Sequence, residues 1–132
     1  MNPYNRIKWF IKDTYWDLRK RCQRFKRGYA WSDVWDMDQW FIEMVRPMLI
    51  HLRDKGISYP MEFNSRDEWC AVLDEMIDCL DFMDEDNVLA FICLDDQERM
   101  TLEKGKSARE IIQSNKNRFF KLFSMYFYNL WD

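Results

Sequence analysis

Three sets of residues in this chain have types and spacings that chemistry can use. Asp33, Asp36 and Asp38 crowd one short segment, and Asp74, Asp78 and Asp81 recur at steps of four and three. Carboxylates so spaced can share a helix face and hold Mg²⁺ or Mn²⁺, as two-metal nucleases require. Such sites usually add a Lys or His nearby, and the acidic stretch has neither. Acids at helix starts or on a solvated helix face also need no metal to explain them. The third candidate is His51, the one histidine. A general base needs an oriented partner and a nucleophile, and an isolated histidine is more often structural. No GxSxG, HExxH, GxGxxG or phosphate-binding glycine loop occurs, and three separated glycines cannot cradle a phosphate. The expectation is a non-enzyme with no catalytic residue, no metal and no cofactor; a metal-dependent nuclease ranks third among the readings.

Charge carries more information. Residues 1–28 hold nine Lys/Arg against Asp13 and Asp17, a local net of +7. From Asp67 to Glu98 there are twelve Asp/Glu and no Lys or Arg. A lysine-free array of carboxylates can imitate nucleic-acid charge and occupy a basic groove on another protein. Its working residues would be Asp74, Glu75, Asp78, Asp81, Asp84, Glu85 and Asp86. The competing class is a nucleic-acid-binding regulator that neutralises phosphates with Lys12, Arg19, Lys20, Arg24 and Arg27, with Trp9, Phe10 and Trp16 interleaved for stacking.

The elements that must position these residues read as helices. Tyr4, Ile7, Ile11, Tyr15, Leu18, Cys22 and Phe25 recur at three- and four-residue steps and predict a first helix from Pro3 to about Lys26, stopped by Gly28. A second helix is predicted from Ser32 or Asp33 to Gly56, kinked at Pro47. Ser65-Arg66-Asp67-Glu68 fits a capping box and opens a third. Asp84–Asn87 is a break or a solvated stretch of a longer helix, and the apolar run Val88–Leu94 packs in either case. Residues 95–106 read as a linker. A second capping box, Ser107-Ala108-Arg109-Glu110, opens a last helix that continues to the terminus, aromatic enough to support a homodimer.

A chain of 132 residues, 48% apolar and 17% aromatic, is predicted to form one all-α domain over residues 1–132. Four or five helices would make up its bundle, with the first and last packed on a central antiparallel pair. Four scattered cysteines without CxxC spacing read as reduced, half-buried thiols. No signal-peptide pattern is present, and Val88–Leu94 is far short of the ~20 residues a membrane span needs. A cytoplasmic location and no membrane partner are expected.

The segment Arg27-Gly28-Tyr29-Ala30-Trp31-Ser32-Asp33-Val34-Trp35-Asp36-Met37-Asp38 resembles a signature, RG-aromatic…DxWx(L/M)D, of small uncharacterised proteins encoded by tailed phages and prophages. The resemblance continues through the Pro47 helix, through W-x-x-x-L-D-E-M-I at Trp69–Ile77, and returns at Tyr126-Phe127…Leu130-Trp131-Asp132. It implies a mostly helical accessory protein in the host cytoplasm, with no established activity to carry over. Proteins of that class often bind and inhibit or modulate a host enzyme or a defence protein, CRISPR nucleases included. On the residues themselves, the signature reads as a folding corner whose Trp31, with Trp40 beyond it, need not be buried and is suited to anchor a partner.

Overall fold

The computed structural model describes residues 3–93 and 102–132. Among them the chain is helical throughout its regular structure, with five α-helices. It divides into two compact units, Met1–Trp40 and Phe41–Asp132.

In the first unit, α1 runs from Pro3 to Arg27 and none of its residues is buried. Gly28 takes φ +82°, a left-handed conformation that ends a helix cheaply only without a Cβ, and its N–H reaches the Arg24 carbonyl at 2.8 Å. The chain then turns through Ala30, which is fully buried, into a 3-10 turn at Trp31–Val34. Asp33 builds this corner. Its carboxylate accepts the Ala30 N–H at 2.7 Å and both arms of the Arg24 guanidinium at 2.6 and 3.0 Å. The helix predicted to start at Ser32 or Asp33 therefore starts later: α2 spans Met37–Lys55, because Asp33 is spent on the 3-10 turn. Pro47 lies inside α2 and does not end it.

In the second unit, α3 (Arg66–Asp81) is the centre, with Trp69, Leu73, Met76, Ile77, Cys79 and Leu80 buried. These meet Ile42, Leu49 and Leu52 of α2 and Phe119 and Leu122 of α5 in one cluster. Ser65 caps α3 by accepting the Glu68 N–H at 3.4 Å, while Glu68 reaches back to the Asn64 N–H, one residue before the position the capping box predicts. Between α2 and α3, Arg66 donates to the carbonyls of Leu52 and Arg53 in the last turn of α2 and to that of Ser58 beyond it, tying the connection to the start of α3. Gly56 sits against the Leu52 carbonyl so closely that a Cβ would collide with it.

Asp84–Asn87 is a break. α4 spans Glu85–Cys93, and Asp84 caps it by accepting the N–H groups of Asp86 and Asn87 at 3.0 and 3.3 Å. In the run Val88–Leu94, Val88 is buried and Phe91 faces solvent; Leu94 lies outside the described residues. The predicted linker 95–106 lies outside them up to residue 101, and its remainder is helical: α5 spans Leu102–Met125, so Ser107 sits inside a helix rather than opening one. α5 packs on α3 and α4. It ends at Met125, short of the terminus, and the chain turns through Phe127–Asn129.

Candidate functional site

The predicted acidic residues of α3 divide between neighbouring helices, Asp74 and Asp81 meeting α2 and Glu75 meeting α5. Arg53 of α2 meets Asp74 at 2.6 Å, Arg46 of α2 forks onto Asp81, and Arg118 of α5 meets Glu75. The side chains are 31–52% exposed, so each pair contributes only about 0–1 kcal/mol to stability. The consequence for recognition is larger: three of the seven predicted carboxylates already face arginines. Asp84 is engaged at the α4 cap. Asp78, Glu85 and Asp86 are exposed, the last two in the first turn of α4, where negative charge complements the helix end.

The basic helix is likewise partly engaged within its own unit. Lys12 lies over the Trp9 ring at 5.5 Å, Arg19 over Trp16 at 5.4 Å and Arg27 over Tyr29 at 4.7 Å. Arg24 is held by Asp33, whose carboxyl is lowered to about 2 by that guanidinium. Trp31 is 45% exposed and packs edge-on against Trp35. Trp40 is half-buried and lines a small hollow with Tyr29, Asp33, Val34 and Met37.

The feature that periodicity did not bring out lies between α2 and the turned C-terminal segment. Val45, Met48, Leu49 and Leu52 form one wall, and Phe123, Phe127 and Leu130 the other, with His51 and Asp132 also lining it; the cleft holds about 470 Å³. It is open: Met48 is 65% and Phe127 52% exposed. Asp132 fixes the outer wall. Its side chain accepts the N–H groups of Ile57 and Ser58 and the Ser58 hydroxyl, and the two backbone N–H groups lower its pKa. The sequence signal lies in Val45, Met48 and Leu52 of the α2 stripe and in the aromatic C-terminus. What was missing was the turn after Met125 that folds those aromatics back.

Among the described residues no group of three His, Cys, Asp or Glu is placed to hold a metal ion, so Asp33/Asp36/Asp38 and Asp74/Asp78/Asp81 do not form the two-metal arrangement their spacing allowed. His51 is exposed. Cys22 is exposed, Cys70 half-buried and Cys79 buried. Burial, then Glu75, raises the Cys79 thiol pKa, the opposite of what a nucleophile needs. Among the described residues no helix is long and apolar enough to cross a membrane. No protein family, curated protein or solved structure matches the chain.

Proposed function

We propose that this chain is a non-enzymatic binding protein, a phage-type accessory factor that modulates a host or defence protein. Its contact site on this reading is the apolar cleft between α2 and the C-terminal turn, and its ligand is a basic amphipathic helix of the partner. The cleft is the observation that carries this. An open trough walled by Val, Leu, Met and Phe is the surface that helix-in-groove recognition uses, and methionine adapts to varied apolar ligands. Residues 41–132 hold eighteen Asp/Glu against eleven Lys/Arg, which favours a basic ligand at long range. The acidic surface thus acts by attraction, not as an array of free phosphate mimics, because Asp74, Glu75 and Asp81 are paired.

The test is titration of a fluorescent Lys/Leu amphipathic peptide against the full chain. Micromolar binding that Phe127→Glu and Met48→Glu each weaken at least tenfold is the expected result; both side chains are exposed, so the fold tolerates them. Equal binding by the variants would falsify the cleft as the site.

Nucleic-acid binding by α1 is the second reading, favoured by the exposure of its basic residues apart from the half-buried Lys20. It predicts heparin retention that falls steeply with salt, and flow-through at low salt rules it out.

A further inference from the structure

α1 is amphipathic, yet none of its residues is buried. Ile7, Ile11 and Leu18 are 60–62% exposed, Tyr4 71% and Phe25 93%. At 1.5 Å per residue the helix is about 37 Å long, so the uncovered stripe is a long one. Lys8, Lys12, Arg19 and Lys26 each follow a stripe residue by one position, which sets them about 100° round the helix, along one edge of the stripe. Long cationic side chains there can extend past an apolar boundary to its polar rim.

We propose that α1 binds the surface of an anionic phospholipid bilayer, lying in the interface with its apolar stripe against the acyl boundary and its edge cations on the headgroups. Charge complementarity selects this occupant. The segment 1–28 carries +7, so a second copy of the same helix on the stripe would bring +7 against +7. Nucleic acid would answer the charge but leave Ile7, Ile11, Leu18 and Phe25 in water. An anionic bilayer answers both. Tyr4 and Tyr15 on the stripe are residues that favour the headgroup level, with an apolar ring and a polar tip. A helix that lies on a membrane needs one apolar face and no spanning length, so the lack of a spanning helix among the described residues is no obstacle. This goes beyond the cleft reading and uses different residues.

The experiment is co-sedimentation of the full chain with vesicles of phosphatidylcholine alone or mixed in equal parts with phosphatidylglycerol, at physiological salt. Binding to the mixed vesicles and at least tenfold less to the neutral ones is expected. The double variant Ile11→Asp/Leu18→Asp should lose at least tenfold in vesicle binding, and Lys8→Glu/Lys12→Glu should lose severalfold. Circular dichroism checks that each variant keeps the helical content of the parent; a variant that does not is replaced by Ile11→Gln/Leu18→Gln. No sedimentation of the parent with mixed vesicles overturns the proposal. Equal binding by the stripe variant reduces it to charge adsorption and overturns it as well. Parent binding to a DNA duplex that competes off the vesicles, and that the stripe variant retains in full, assigns α1 to nucleic acid instead.

Discussion

Asp33 holds the corner between α1 and α2. It takes the Ala30 N–H and both arms of Arg24 from a position only 9% exposed. Replacing it with alanine should cost the corner about 1–2 kcal/mol, the range of a lost helix cap, read as an early shift in the fluorescence of Trp31 and Trp35. Because Arg24 holds the carboxyl at about 2, below its ordinary 3.8, its contribution is complete above pH 3.8 and disappears as pH falls through 2. An acid titration of that fluorescence should show this step in the parent and lack it in Asp33→Asn. Asp132 plays the equivalent part for the cleft, pinning the turned tail to Ile57 and Ser58. Asp132→Ala should weaken peptide binding about threefold while leaving the denaturation midpoint nearly unmoved, which separates positioning from stability.

At the level of elements, stability belongs to α3. Trp69→Ala should cost about 3–5 kcal/mol, since the indole is fully buried in the cluster and its removal leaves a cavity. Arg46→Ala, Arg53→Ala and Arg118→Ala should each cost no more than about 1 kcal/mol, by denaturant midpoint at constant slope. The all-α class was legible from periodicity, and the start of α3 from Ser65 with Glu68. The misses share a cause: a capping pattern is local, and neighbours outbid it. Asp33 went to a 3-10 turn because Arg24 stands opposite. Ser107 was absorbed into α5 because helix already precedes it. The last helix stops at Met125, where Phe63 and Trp69 pack round Tyr126, a long-range contact that no window of sequence contains.

Across the whole chain, the balance of −3 hides two different charge arrangements. The acidic residues of α3 are paired in part with arginines of α2 and α5, which flank the lysine-free stretch in sequence and therefore escape a count made along it. The carboxylates were legible in the sequence; their neutralisation was not, because ion pairing depends on which helices pack together. The basic helix leaves its apolar stripe exposed, while its Arg24 is held by Asp33 within the same unit. Function on this account comes from surface left unfilled, the cleft of one unit and the stripe of the other. Hydrogen exchange of the full chain with and without the basic amphipathic peptide tests the cleft most directly. Added protection is expected in Val45–Leu52 and Phe123–Leu130, with Arg66–Asp81 unchanged; protection confined to Arg66–Asp81 would overturn the cleft as the site and return binding to the acidic helix.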